Sequence, residues 1–181
     1  HKEYRRQRQM CIRDSLKAQI NRTQGTQNNV SNALSFTQVQ DGALSTVGSI
    51  VDRMSELRSF ADDVTKNTSD IANYNTEFQQ LRNQLNNIVS EQFNGVSLFA
   101  SSSDGTFGVT TPSANQLTVY TTEAGATGAT ISLAKMALGS ALSLAANTTL
   151  AAASTDTVSL QSFSVANITQ AIQNVATLRA Q

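Results

Sequence analysis

Few side chains in this chain suit chemistry near neutral pH. Its 181 residues include one His (His1), one Cys (Cys11) and no Trp. A single thiol closes no internal disulfide and builds no thiolate zinc site, and a single imidazole builds no multi-histidine metal centre. Asp62 and Asp63 are adjacent carboxylates, but helix neighbours project about 100° apart and do not converge on one metal or substrate. Glu56, Arg53 and Asp52 read as ordinary charges on a solvated helix face. No glycine-rich loop joins a strand to a helix in phosphate-binding form. Asn-x-Ser/Thr triplets at Asn21, Asn29, Asn67, Asn147 and Asn167 are what an Asn- and Thr-rich chain produces by composition alone. The expectation is no enzyme, with no catalytic, metal-binding or cofactor-binding residues and no cofactor.

The elements are more informative. Charged residues are only 14% of the chain and hydrophobic residues 39%; Ser, Thr, Asn, Gln and Ala fill the difference. No apolar run reaches the roughly 20 residues needed to span a bilayer. Nor is the basic start followed by the apolar core of a secretory signal. Residues 1–15, HKEYRRQRQMCIRDS, form a basic arm without interleaved aromatics. Arg5 to Asp14 resembles the in-frame translation of a common transposase sequencing adapter, so 1–15 is set aside as a non-native segment. Without it the chain carries 8 Lys+Arg against 11 Asp+Glu, a formal charge of −3. A mildly acidic chain has no electrostatic reason to bind nucleic acid or an anionic membrane.

From Leu16 to about Lys66 the sequence predicts one long helix. Leu44, Val47, Val51, Met54, Leu57, Ala61 and Val64 recur at steps of three and four. The first half is weaker, since Thr23, Gln27 and Thr37 interrupt Leu16, Ile20, Val30 and Leu34. Asn67 to Asp70 reads as a turn and cap. Ile71, Tyr74, Phe78, Leu81, Leu85 and Ile88 then form a coiled-coil-like stripe on a second helix. Two striped helices on a short link predict an antiparallel hairpin. Phe93-Asn94-Gly95 signals a turn. β-like runs follow at Thr106 to Thr111 and Gln116 to Thr122, with Thr130 to Leu142 a third strand or a short helix. Ala145 to Asp156 is low-complexity and expected as loop or a poorly fixed helix. Val158 to Gln181 predicts a last helix on Val165, Ile168, Ile172, Val175 and Leu178, its stripe still running at Gln181.

Such stripes bury one face internally and often need a partner for another, which points to a helical assembly or interaction protein. The same residues carry a family resemblance. Asn28 to Asp63 resembles the first long helix of the bacterial flagellin core. Within it, Gln40-Asp41-Gly42-Ala43-Leu44 is similar to the family's xEGAL stretch, with Asp in place of Glu, and Arg53-Met54-Ser55-Glu56-Leu57 to its RxxEL stretch. Glu91 to Val96 resembles the TEFNG turn, and Ala171 to Gln181 the returning helix AIxxVxxLRAxLGA. The likeness covers most of Leu16 to Phe99 and about Val165 to Gln181.

The resemblance implies a mainly α fold with a small β part: an elongated antiparallel bundle of two long N-terminal helices and one C-terminal helix, with a β-hairpin region between them. The implied divisions are core helices over 16–92, a Ser/Thr/Ala-rich hairpin and variable region over 93–156, and a truncated core helix over 157–181. It implies a structural subunit of the extracellular flagellar filament, exported without a cleaved signal by an export chaperone and the flagellar export apparatus, and partnered by copies of itself. The family's terminal assembly helices are expected to be missing at both ends. Packing is expected at Leu44, Val47, Val51, Met54, Ile71, Tyr74, Phe78, Leu81, Leu85, Ile88, Ile168, Ile172 and Val175. Carried over by motif, a patch for an innate Toll-like receptor falls on Arg53, Leu57 and Glu77, although Leu57 also lies on the core stripe. The alternatives are the related hook–filament junction protein and a stand-alone helical binding module with a genuine basic arm.

Overall fold

Helix α1 spans Lys2–Ala61 and α2 Thr68–Val89. The computed structural model describes residues 2–100, 115–144, 148–151 and 158–180. α1 starts at Lys2, ahead of the expected Leu16, and stops at Ala61, short of Lys66. Local hydrogen bonding explains the early stop. The Asp63 carboxylate accepts from Thr65 N (2.9 Å) and Thr65 Oγ1 (2.7 Å), offering the backbone a turn in place of another helical step. Val64, assigned to the stripe from its spacing, consequently lies outside the helix and is 98% exposed. Asn67 then caps α2, its Oδ1 accepting from Asp70 N at 2.9 Å.

The α1–α2 hairpin is antiparallel. Arg53 meets Glu77, and nearer the turn Phe60 meets Tyr74 with ring centroids 6.1 Å apart. Leu44, Val47, Val51, Met54 and Leu57 on α1 and Phe78 and Leu85 on α2 are all essentially sealed from solvent. Ile71, Tyr74, Leu81 and Ile88 are only half-buried. The buried line on α2 is Phe78, Arg82 and Leu85, turned one residue from the apolar spacing at Leu81.

After α2 the chain makes a tight hairpin, β1 (Gln92–Phe93) with β2 (Val96–Ser97), registered Phe93 to Val96. Its two-residue turn needs left-handed backbone, which Asn94 (φ 51°) and Gly95 (φ 80°) supply. β3 (Gln116–Tyr120) pairs with β4 (Thr130–Ala134). Thr130 to Leu142 resolves as both expected alternatives in succession, since β4 is followed by the short α3 (Leu138–Ala141). The expected strand over Thr106 to Thr111 lies outside the described residues. Part of the low-complexity stretch is ordered as strand: β6 (Thr148–Thr149) pairs antiparallel with β5 (Ser143–Leu144).

The last helix, α4, is Val165–Arg179 and starts later than Val158. Ser164 is its cap, accepting from Asn167 N at 3.1 Å, and a 3-10 turn at Leu160–Ser162 precedes it. Its buried residues are Ile168, Ala171, Asn174, Val175 and Leu178, with Ile172 half-buried. α4 packs against α3 and β5. It runs antiparallel to the 41–58 stretch of α1: Phe163, just before it, meets Arg58, and Arg179 at its end pairs with Asp41 at 3.0 Å.

The chain divides into two units, His1–Thr37 with Gln116–Leu133, and Gln38–Asn115 with Ala134–Gln181. The first holds an exposed ion pair, Arg22 with Glu123 at 3.9 Å. The second holds the helical core just described.

Candidate functional site

The residues singled out by motif fall into a surface group and a buried group. Arg53 lies on the α1 face toward α2. Its Nε donates to Glu77 Oε1 at 2.7 Å and its NH1 donates to Glu56 Oε2 at 2.9 Å. The Glu77 bond foremost, then the Glu56 bond, raises the guanidinium pKa further above its ordinary value. All three side chains remain substantially exposed. Leu57, one turn along α1, points inward and has no exposed surface. Arg53 and Glu77 are thus brought together, and Leu57 is separated from them by burial.

The packing residues divide similarly. Leu44, Val47, Val51, Met54, Phe78, Leu85, Ile168 and Val175 form the interior of the second unit. Along the first unit's stretch of α1, Ile12, Leu16, Ile20, Val30 and Leu34 are exposed, Leu34 by 59%. They share one face of α1, away from the line of Phe36, Gln40 and Leu44, and are left uncovered among the described residues.

Spacing of apolar residues could not find the buried polar groups. Gln40 is 2% exposed on the buried α1 line between Phe36 and Leu44. Its Nε2 donates to Leu98 O at 2.9 Å and, at longer range, to Ala134 O at 3.5 Å. Asn174 Nδ2 donates to Ala141 O at 2.9 Å, while its Oδ1 accepts from Gln170. Arg82 is 1% exposed. Gln40 and Asn174 each join a helix to main-chain carbonyls of another part of the chain, satisfying buried polar groups on both sides.

Among the described residues no cluster of His, Cys, Asp or Glu is arranged to hold a metal ion, and no helix is long and apolar enough to cross a membrane. Striped helices, buried over one stretch and uncovered over another, define a helical packing subunit.

Comparison with known proteins gives that class its family. Residues 8–104 match the family model described as the bacterial flagellin N-terminal helical region. The match takes in more than half of the chain, which belongs to the bacterial flagellin family. Among solved structures the chain is similar in fold to Bacillus cereus flagellin, with a TM-score of 0.60 and 24% identity over 86% of this chain and 80% of that one. No curated protein matches. Flagellins are structural proteins that polymerise with one another into the extracellular flagellar filament, and this chain is a filament subunit of that kind.

Proposed function

We propose that the chain enters the filament through the uncovered apolar residues of α1, Leu16, Ile20, Val30 and Leu34. The observation that carries this reading is their exposure on a helix whose later turns bury the same kind of residue. Apolar side chains repeating on one helix face gain by removal from water, and only another helix matches that spacing. In the source bacterium, deletion of the gene is expected to abolish filaments and swimming. Restoring the gene with Ile20→Asp and Leu34→Asp together is expected to give exported monomer without filament. Normal filaments from that double variant would overturn the reading.

Delivery follows the family pattern: export without a cleaved signal, by an export chaperone and the flagellar export apparatus. A second reading concerns Arg53 and Glu77, whose paired head groups stand on the surface. They form the accessible part of a contact for an innate Toll-like receptor, to which buried Leu57 contributes by supporting α1 from within. Receptor-reporter activation by purified protein, compared with Arg53→Ala, tests it; equal signals would reject the contact.

A further inference from the structure

Three side chains on one face of α2, Asn75, Gln79 and Arg82, bond to main-chain atoms of Leu160, Val158 and Leu150 respectively. Their steps of four and three put them in line. Asn75 Oδ1 accepts from Leu160 N at 2.8 Å, and Gln79 Nε2 donates to Val158 O. Arg82 Nε donates to Leu150 O at 3.4 Å, and Arg82 NH1 donates to Gln79 Oε1 at 3.3 Å. From α1, Arg58 Nε donates to Phe163 O at 2.6 Å while its NH1 pairs with Asp62. Each segment atom contacted here is a main-chain group. The segment adds two apolar anchors, Leu160 and Phe163, both without exposed surface. The Phe163 ring packs against Phe78 (centroids 5.2 Å apart, planes at 55°), with the Arg82 guanidinium 5.4 Å from its centroid.

Bonds to main chain plus two side-chain pockets are how a peptide is recognised when its sequence matters little beyond its anchors. We propose that the α1–α2 hairpin carries a peptide-binding site whose ligand is this chain's own segment 158–163, and that Arg82 is the positioning residue on which capture depends. Capture has a consequence for α4. The α4 stripe repeats every three or four residues, so sliding α4 along α1 by one turn would still present an apolar face. Asn174 ties α4 to α3 rather than to the hairpin. Phe163, held by Arg58 and Arg82 immediately before the Ser164 cap, fixes where α4 begins against α1. The register of the C-terminal helix is therefore set by the captured segment, and the subunit surface built by α1 and α4 together depends on it.

The test is amide hydrogen exchange on the 181-residue chain carrying Arg82→Met, which keeps the stem and removes the donors. Capture predicts a loss of protection at Leu160, Ser162 and Phe163 of about ten-fold, the scale of the buried cation–π contact between Arg82 and Phe163. α1–α2 amides are expected to keep their protection, and Arg82→Lys to restore part of the loss. If Arg82 is only core filling, an apolar replacement is neutral or stabilising, and unchanged protection over 158–163 would overturn the proposal. Asn75→Ala gives a second reading, because it removes only the acceptor for Leu160 N. It is expected to lower protection at Leu160 while the hairpin stays intact. Unchanged protection there, or a uniform loss through the whole chain in both variants, would also overturn it.

Discussion

Gln40 gives the sharpest prediction, because it is a polar side chain at a position where the helix otherwise buries only apolar ones. Its amide donates to Leu98 O at 2.9 Å from a site 2% exposed. That carbonyl lies where the 98–100 segment meets the 134–138 segment, with Ala100 N bonded to Met136 O at 3.0 Å. Two variants separate the contributions. Gln40→Met keeps the stem length and removes the donor; leaving a buried carbonyl without it costs about 1–3 kcal/mol. Gln40→Ala also deletes the buried γ-methylene, worth about 0.8 kcal/mol, for a total of about 2–4 kcal/mol. The assay is urea unfolding followed by far-ultraviolet circular dichroism, with hydrogen exchange at Ala100 as the local report. The expected order of stability is parent, then Met, then Ala, with Ala100 protection falling in both variants. A Met variant as stable as the parent would refute the reasoning, because hydrophobic filling alone would then account for the site.

Other outcomes follow from the same structure. Phe78→Ala, in the sealed hairpin interior, is expected to cost about 3–5 kcal/mol, whereas Leu34→Ala, on the exposed stretch of α1, is expected to stay within about 0.5 kcal/mol in the monomer; denaturant midpoints check both. Ser164→Ala removes the α4 cap and is expected to cost about 1 kcal/mol, read by the same unfolding curves together with exchange at Asn167. Bonds from Thr65, its backbone N–H first and its hydroxyl second, hold the Asp63 carboxyl below the usual carboxylate range. A carboxylate depressed in the folded state stabilises above its unfolded pKa, and that contribution disappears as pH falls through the lower folded value. Protection at Thr65 is therefore expected to weaken on acidification into that window in the parent and to be already weak and pH-independent in Asp63→Ala, as monitored by amide exchange.

The helical part of the fold was legible because apolar spacing reports which face is buried. Phe78 and Leu85 on α2, and Val47, Val51 and Met54 on α1, lie on the apolar spacing and are buried. The Asn67 cap and the Asn94-Gly95 turn were legible because capping oxygens and left-handed backbone each favour a short list of residue types. What spacing missed is polar and non-local. Arg82 takes the place of Leu81 on the buried line, where its guanidinium reaches Leu150 O and the Phe163 ring, partners that nothing in α2 itself encodes. Gln40 and Asn174 sit at buried helix positions that apolar spacing does not mark, and they serve carbonyls of segments far away in sequence. The end of α1 at Ala61 was missed for a local reason: Asp63 and Thr65 compete for the backbone more strongly than Val64 extends the stripe. Within the candidate receptor patch, Leu57 and Arg53 stand one turn apart on α1, yet the structure turns their ends apart, one into the core and one to Glu77.

The central claim is that this chain is a subunit that adds to a growing filament through uncovered helix faces. The most direct measurement is elongation from short filament seeds, using the complete gene product. Monomer is mixed with seeds and the pelleted fraction is followed over time, with the Ile20→Asp, Leu34→Asp double variant run in parallel. The account predicts that the parent sediments with lengthening filaments and the double variant stays in the supernatant as folded monomer. Parent protein that stays in the supernatant with active seeds, or a double variant that elongates as the parent does, would contradict it.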